Sequence, residues 1–232
     1  AKRVGSERRY TELIRGLRDA GHEIHLFAGR WDSDAAAGLT CHRVPMIGPP
    51  ALAPMTFAFG VLAITRRWRD RLDLVHSHAK SFGDDIVSPG GSAHRMYVKM
   101  LEREGTALRA AALPWHPYHR SMMAIERAQF ASVRRIVVNS MWSRRTLLAG
   151  YPSASDRTEV VYNGVDTEYF SPAIRAELRA HTRARLGLCA DETAFLFVGA
   201  GDRRKGLLEL LEAFAGLGQA KASLIVLGHR DS

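Results

Sequence analysis

The sequence predicts an α/β protein in which parallel strands alternate with covering helices, as in a doubly wound sheet. Short apolar runs suited to buried parallel strands recur along the chain, and the clearest of them is 195–198. Amphipathic helical patterns separate these runs, beginning with Tyr10, Leu13 and Leu17 on one face. Glycine-containing turns follow several of the runs, at the positions where such sheets bind their ligands.

The individual elements follow from the same two periodicities, taken in chain order. The first helix ends at Gly21, which is a typical helix stop. Strands are predicted at 22–28, 73–76, 135–139, 159–162, 195–198 and 224–228. Later helices are predicted at 57–71, 97–104, 118–131, 143–148 and 174–186. Residues 48–54 are rich in glycine and proline, and they predict a loop that borders the ligand cleft.

Composition places the chain among ordinary globular proteins, with 46% hydrophobic and 25% charged residues in a length of 232. No apolar run approaches the roughly 20 residues that span a bilayer, and no signal-peptide pattern is visible. Cys41 and Cys189 are far apart and lack the paired spacing of metal clusters or disulfide frameworks. These observations predict a cytoplasmic protein.

The turn after the strand at 195–198 carries the strongest binding signal in the sequence. Gly199 and Gly201 permit close approach of a ligand to the backbone, and the positive end of a helix follows. Arg204 can bind two phosphate oxygens at once, and Lys205 adds a compact charge. The pattern indicates a phosphate-binding loop, although a solvated basic turn before an amphipathic helix fits the same residues taken alone.

This loop occurs together with two upstream segments, Asn-Gly-Val-Asp at 163–166 and Phe-Ser-Pro at 170–172. The combination resembles the family 4 retaining glycosyltransferases of the GT-B fold. In that family the upstream segments lead from one Rossmann-like domain to the next, and the loop binds the diphosphate of a nucleotide-sugar donor. Within the family, the lipopolysaccharide-core glucosyltransferases are the most similar, because their loop also ends in Arg-Lys-Gly.

The resemblance implies a Rossmann-like N-terminal domain at 1–170. A linker helix and the beginning of a second Rossmann-like domain are then expected at 171–232. The resemblance also implies a fragment, because the family's first central strand and most of its C-terminal domain, with two glutamates near the donor, have no counterpart here. We therefore expect this chain alone to show little or no transfer activity.

The implied reaction moves a hexose from a nucleoside-diphosphate sugar to a hydroxyl of a cell-envelope glycan or glycolipid, with retention at the anomeric carbon. In that reaction Gly199, Gly201, Arg204 and Lys205 are expected to hold the departing diphosphate. Enzymes of this type need no metal for that step. Neither a metal nor another cofactor is therefore expected.

Gly5, Ser6 and Glu7 open the first helix and are candidates for the acceptor side of the cleft, through their backbone N–H groups. The family usually has two adjacent glycines where Val4 and Gly5 stand, and this departure puts close backbone approach in question. An ordinary N-cap at Ser6 explains the residues equally well.

Two loops that follow predicted strands supply the candidate catalytic residues. Asp85 lies in the loop after the strand at 73–76, and His94 follows the adjacent glycines Gly90 and Gly91. A similar glycine pair followed by histidine lies at the cleft in the core-glycosyltransferase-like branch. His94 is therefore expected to contact the acceptor or the donor sugar, since a neutral imidazole can accept a hydroxyl hydrogen bond. A structural role is the alternative for any single histidine.

The chain is strongly basic, with a formal net charge of +9 and a pI near 10.1. The spacings and motifs of zinc fingers and RNA-binding strands are missing from the sequence, which argues against a nucleic-acid partner. Basic and aromatic residues instead cluster at 66–71 and 94–123, as in proteins that bind anionic lipid. The expected location is peripheral, on the inner face of the cytoplasmic membrane, and a compositional bias toward arginine is the alternative.

Three function classes stay open on sequence grounds. A glycosyltransferase of the cell envelope leads, followed by a GT-B enzyme with a soluble small-molecule acceptor and by a non-enzymatic polyanion-binding module. Nothing in the sequence selects the sugar or the base of the donor.

Overall fold

Strands and helices alternate along the chain, and this confirms the predicted α/β class. The computed structural model describes residues 5–33, 36–90, 93–104, 113–199, 205–218 and 221–228. Within these ranges the strands are β1 (His25–Ala28), β2 (Thr40–Arg43), β3 (His76–Ser77), β4 (Ile86–Val87), β5 (Arg135–Val138), β6 (Thr158–Val160), β7 (Thr193–Val198) and β8 (Ala222–Leu227). The α-helices are α1 (Gly5–Asp19), α2 (Ala53–Arg67), α3 (His94–Glu104), α4 (Pro117–Ser132), α5 (Met141–Gly150), α6 (Pro172–Arg185) and α7 (Leu207–Ala215).

Every strand pair in the described part of the chain is parallel. β1 pairs with β2, β3 to β6 follow one another across a second sheet, and β7 pairs with β8. Because neighbouring strands run in the same direction, the carboxyl ends of β3, β4, β5 and β6 lie at one edge of their sheet. The loops that follow these strands therefore meet at that edge.

The chain divides into two compact units, residues 1–163 and 164–232. The first unit contains β1 to β6 and α1 to α5, and the second contains β7, β8, α6 and α7. The domain boundary predicted after residue 170 stays a prediction.

The core of the first unit lies where β4 and β5 pack with α4 and α5. Val87, Ile136 and Val138 of the strands form one buried cluster with Phe130 of α4 and Leu147 of α5. Full burial of a side chain of this size contributes about 1.5–3 kcal/mol. This packing holds the strand ends in place, and with them the loops that follow.

Several helices begin earlier than their periodicity predicts, and proline explains three of the starts. Pro54, Pro117 and Pro172 each occupy the first turn of a helix. There the proline ring presets the backbone, and its missing N–H would have no partner within the helix. α5 begins after Ser140, whose side chain accepts the backbone N–H of Ser143 at 3.0 Å.

Candidate active site

The carboxyl edge of the β3–β6 sheet collects polar and aromatic side chains from separate parts of the first unit. Tyr10 of α1 packs on His78, which follows β3, with 4.2 Å between the ring centroids. Arg9 lies over the Tyr10 ring and donates to Oδ1 of Asn163, beyond β6, at 3.1 Å. The second turn of α1 therefore lies beside the ends of β3 and β6, where a doubly wound sheet binds its ligands.

Two histidines of this edge are held mainly in the neutral form at pH 7. Nε2 of His76 is hydrogen-bonded to Oγ of Ser88 at 2.8 Å, and burial followed by the charge of Arg9 lowers the pKa of His76. Burial lowers the pKa of His78 to about 4, and the charges of His76 and Arg9 add to the shift. Nδ1 of His78 is buried and has no hydrogen-bond partner among the described residues. The edge thus presents uncharged rings to a ligand.

The loop between β4 and α3 turns at Gly90, whose φ of +80° lies in the left-handed region that favours glycine. No described atom lies within 4 Å of a Cβ added at Gly90, so an alanine side chain would meet no clash there. The backbone of that alanine would still be strained by the positive φ. The loop leads to His94, which is the first residue of α3. Gly91, which was predicted to share this turn, lies outside the described residues.

A buried carboxylate anchors this loop. Glu126 of α4 is fully buried and accepts the backbone N–H of His94 at 2.6 Å and that of Arg95 at 3.2 Å. The Tyr151 hydroxyl donates to the same carboxylate at 2.8 Å, and the Lys80 ammonium forms an ion pair with it. The Glu126 side chain therefore caps α3, satisfying N–H groups that have no partner within the helix.

These donors keep Glu126 ionised. Burial alone raises its pKa, but the charge and hydrogen bond of Lys80, together with the His94 N–H and the Tyr151 hydroxyl, hold the pKa below its ordinary value. The positive end of α3 is consequently neutralised by a carboxylate of the protein itself. A substrate phosphate would compete with that carboxylate, so the start of α3 is not suited to bind the donor diphosphate.

The ring of His94 is held by a second histidine. Its Nε2 lies 2.9 Å from Nδ1 of His119, in the first turn of α4. Burial and the charge of Lys80 lower the pKa of His94 to about 4, although Glu126 opposes them. Burial and then His116 lower the pKa of His119. Both rings are therefore mainly neutral at pH 7, and His94 offers a hydrogen bond without a charge.

The structure does not bring Asp85 to this site. The residue directly precedes β4, so it lies at the amino end of the strand whose carboxyl end leads to His94. Its carboxylate binds Arg69 through both oxygens, at 2.9 and 3.0 Å, and accepts the Val75 N–H at 2.9 Å. These bonds, that of Arg69 foremost, hold the pKa of Asp85 below its ordinary value. We therefore correct the catalytic assignment: Asp85 is a structural ion-pair partner.

A second carboxylate of this amino edge is also held by side chains of the fold. The neighbouring Asp84 accepts from Oγ of Ser81 at 3.0 Å and from Nε2 of Gln129 at 2.6 Å. A shallow cavity of about 570 Å³ opens here, with Phe59 and Phe82 in its wall. Because it lies at the amino ends of the strands, this cavity is separate from the candidate site.

The predicted diphosphate loop lies in the second unit, between β7 and α7. A Cβ added at Gly199 would lie 3.3 Å from the Phe197 ring and 3.4 Å from Cγ of Lys205. The two described ends of the loop are thus close together, and Lys205 is exposed two residues before α7 begins. Gly201 and Arg204 lie outside the described residues. Diphosphate binding by these residues stays a prediction.

The acceptor-side residues predicted at the start of the chain lie in a helix. Gly5, Ser6 and Glu7 occupy the first turn of α1, one turn before the two residues that reach the carboxyl edge. The side chains of Ser6 and Glu7 lie outside the description, so their contact with an acceptor stays a prediction.

An exposed aromatic and cationic surface surrounds the start of α4. Trp115 is 72% exposed, and the guanidinium of Arg120 lies 5.6 Å from its ring centroid. Oγ of Ser121 donates to the carbonyl of Ala51 at 2.8 Å, which brings the start of α4 next to the exposed Leu52. We call Trp115, Arg120 and Leu52 the α4 surface.

Residues 66–71 form the other basic and aromatic cluster that was predicted to face a membrane. Several of their side chains make contacts within the first unit. Trp68 is half-buried against His42, with 4.7 Å between the ring centroids, and Arg71 lies over its indole. Arg69 belongs to the ion pair with Asp85. Among the described residues, no helix combines the length and apolar character that crossing a membrane requires.

Sequence reasoning missed Glu126 and His119. α4 buries Ile125, Glu126 and Phe130 at helical spacing, so a carboxylate at a core position was an available signal. His119 carries no such signal, because its contact with His94 joins residues 25 positions apart.

Glycosyltransferases match the chain in the comparisons with known proteins. The family model described as Glycosyltransferase Family 4 matches residues 4–169. The D-inositol 3-phosphate glycosyltransferase of Geodermatophilus obscurus is 35% identical, over 88% of this chain and 48% of that protein. The same enzyme of Xylanimonas cellulosilytica is 29% identical, over 94% of this chain and 56% of that protein. The chain thus spans about half the length of these curated relatives.

A solved structure supports the fold. WaaG, a glycosyltransferase involved in lipopolysaccharide biosynthesis, matches with a TM-score of 0.74 and 19% identity. The match covers 96% of this chain and 59% of that chain. At this level of identity the likeness concerns the fold alone, and it confirms the predicted GT-B type.

Proposed function

The chain belongs to glycosyltransferase family 4, and from this premise we propose a reaction for the whole protein. It transfers a hexose from a nucleoside-diphosphate sugar to a hydroxyl of a cell-envelope glycan or glycolipid, with retention at the anomeric carbon. The observation that carries the proposal is the family match, because the matched residues 4–169 include the whole carboxyl-edge site. The neutral and anchored His94 supports it, as a group suited to a sugar hydroxyl.

The two units are proposed to supply different chemistry. In the first unit His94 hydrogen-bonds a hydroxyl of the donor sugar or of the acceptor. In the second unit Gly199, Gly201, Arg204 and Lys205 bind the diphosphate, on which negative charge grows as the glycosidic bond breaks. Preset cations stabilise that transition state more than the ground state. The proposed reaction uses no metal ion or other cofactor.

Sugar transfer by the whole protein tests this proposal. The assay offers a panel of sugar nucleotides and acceptors, and NMR of the product reads the anomeric configuration. We expect His94→Ala to lose most of the turnover and His181→Ala to keep it, since His181 is an exposed histidine of the second unit. A product of inverted configuration, or no transfer from any donor, would overturn the proposal.

A soluble phosphorylated polyol is the second candidate for the acceptor. The curated relatives favour it, because their names specify D-inositol 3-phosphate. Competition between inositol 3-phosphate and envelope glycolipids in one transfer assay decides between the two candidates. Binding of polyanions with no transfer to any acceptor would instead support a non-enzymatic module.

We also propose that the protein binds the anionic inner face of the cytoplasmic membrane through the α4 surface. Aromatic rings favour the level of the lipid headgroups, and each nearby cation adds about 1 kcal/mol of attraction to anionic lipid. The exposed ring of Trp115 and the guanidinium of Arg120 supply both features. This location suits an acceptor that is itself anchored in lipid.

Flotation with liposomes tests the membrane proposal. Binding to anionic vesicles should weaken as salt shortens the Debye length below its physiological value of about 8 Å. The double variant Trp115→Ala with Arg120→Ala should bind less. Trp142→Ala is the matched control, because that ring is 65% exposed but lies outside the α4 surface. Equal binding to neutral and anionic vesicles, or no loss in the double variant, would contradict the proposal.

A further inference from the structure

His94 is held at two points, one on its backbone and one on its ring. Glu126 accepts its backbone N–H at 2.6 Å, and Nδ1 of His119 lies 2.9 Å from its Nε2. Among the described residues, Nε2 is the ring atom of His94 that has a hydrogen-bond partner. The ring atom left to meet a ligand is therefore Nδ1.

We propose that His119 is a positioning residue, which fixes His94 in the form with hydrogen on Nε2 and a lone pair on Nδ1. Nδ1 of His94 then accepts a hydrogen bond from a hydroxyl of the substrate. The inference rests on the proposed function, because it concerns how His94 meets the substrate of that reaction.

The hydrogen bond between the His94 and His119 rings limits which ring nitrogens can carry a hydrogen. A hydrogen bond between two neutral imidazoles needs a hydrogen on one nitrogen and a lone pair on the other. With the hydrogen on Nε2 of His94, His119 accepts at Nδ1 and carries its own hydrogen on Nε2. The opposite arrangement places both hydrogens on Nδ1. A neutral histidine side chain prefers the Nε2–H form in water, so the first arrangement satisfies the preference of both rings.

The surroundings of the pair keep both rings uncharged. Burial destabilises the protonated form of each ring, and the Lys80 ammonium repels a positive charge on His94. In the described part of the chain, the other titratable groups that face the two rings are Glu126, His116, Tyr97 and Tyr118. The ionised Glu126 favours a proton on His94, but burial and the Lys80 charge outweigh it, and the pKa of His94 is lowered to about 4. The arrangement therefore persists at neutral pH.

NMR of the ¹⁵N-labelled chain tests the proposal without any need for activity. Long-range ¹H–¹⁵N spectra at pH 7 distinguish protonated from unprotonated ring nitrogens, and His94→Gln assigns the signals. We expect His94 to show hydrogen on Nε2 alone, and His119→Ala to give averaged signals from both forms. His119→Asn should restore the original pattern, because its amide oxygen can accept the same bond. His181→Ala is the control and should change nothing at His94.

Kinetics of the whole protein give the second readout. His119→Ala should lower kcat/KM about tenfold, as expected for the loss of one hydrogen bond. It should cost nothing further in the presence of His94→Ala, because a positioning residue acts through the group that it positions. Additive losses, or hydrogen on Nδ1 of His94 in the wild-type spectra, would overturn the proposal. If no sugar is transferred, the proposed function fails, and the spectra still decide the positioning of His94.

Discussion

Replacing Glu126 by Gln removes the charge from a fully buried carboxylate on which several donors converge. Oε2 takes the Lys80 ammonium and the His94 N–H, and Oε1 takes the Arg95 N–H and the Tyr151 hydroxyl. An amide keeps one acceptor oxygen and places an NH2 group at the other position. There the hydroxyl of Tyr151 can reverse its hydrogen and accept, but a backbone N–H or an ammonium cannot.

The lowest-cost arrangement therefore points the amide nitrogen at the Oε1 position. It loses the bond from the Arg95 N–H and turns the Lys80 ion pair into a bond to a neutral oxygen. Hydrogen bonds to charged groups contribute about 1.5–3 kcal/mol, and breaking a buried ion pair costs about 3–5 kcal/mol. Because Lys80 keeps a partner in the Gln variant, we expect a loss of about 3 kcal/mol in the free energy of unfolding. Tyr151→Phe is the matched control: it removes one hydrogen bond to the carboxylate and keeps the charge, with an expected loss of about 1.5 kcal/mol.

Urea unfolding followed by tryptophan fluorescence measures these losses. The tryptophans are Trp31, Trp68, Trp115 and Trp142, and all of them lie in the unit of residues 1–163. The fluorescence therefore reports on the unit that contains Glu126 and not on the second unit.

The pH dependence of the stability difference between wild type and Glu126→Gln provides the result that could refute this reasoning. The folded pKa of Glu126 is lowered, so its ionisation stabilises the fold above the unfolded value of about 4.3, and this contribution is lost as the pH falls through the folded pKa. The difference between wild type and Glu126→Gln should therefore narrow in acid. Titration of His78 affects both proteins and cancels in the difference. That of His94 does not cancel, because Glu126 raises the pKa of His94, so both proteins carry His94→Gln in this comparison. A difference below about 1 kcal/mol at pH 7, or one of equal size at pH 7 and pH 3, would refute the reasoning.

Three further outcomes are expected. Alanine at Arg204 or Lys205 should weaken nucleoside-diphosphate binding to the whole protein by about 1.5–3 kcal/mol per contact, and calorimetry showing unchanged affinity in a folded double variant contradicts this. The first unit should lose stability as the pH falls from about 6.5 to 4. In this range His78 and His94 bind protons in the unfolded chain but stay mainly neutral in the folded one, where their pKa values are about 4. His78→Gln should flatten that dependence in urea unfolding, and an unchanged slope argues against it. Transfer by the whole protein should continue in EDTA, whereas a loss that Mg²⁺ restores would show a metal requirement.

The periodicity of the sequence predicted most elements of the fold but not the strands β2 and β4. β2 consists of Thr40–Arg43, a polar run with no apolar face to recognise, and β4 contains only Ile86 and Val87. Both are defined by their pairing with neighbouring strands, which is a tertiary property. The helix starts at prolines were within reach of the sequence, because proline in a first turn is a local rule.

The residues of the candidate site also divide into those with a local signal in the sequence and those that only tertiary packing brings together. His94 was predicted because a glycine turn and a histidine lie next to each other in sequence, and Gly90 indeed has a positive φ. Asp85 was placed wrongly, because β4 was not predicted: the loop after β3 crosses to the amino edge of the sheet, and Asp85 lies at its far end, directly before β4. Glu126 and His119 belong to a helix more than twenty residues downstream of His94, and only the packing of α3 on α4 brings them together.

The buried carboxylate explains why the first unit suits a hydroxyl better than a phosphate. Without Glu126, the first N–H groups of α3 would attract an anion to the side of His94. With it, the helix end is satisfied, the Lys80 charge is paired, and His94 is left as a neutral group fixed on its backbone and its ring. In the proposed function, binding of the diphosphate is assigned to Arg204 and Lys205.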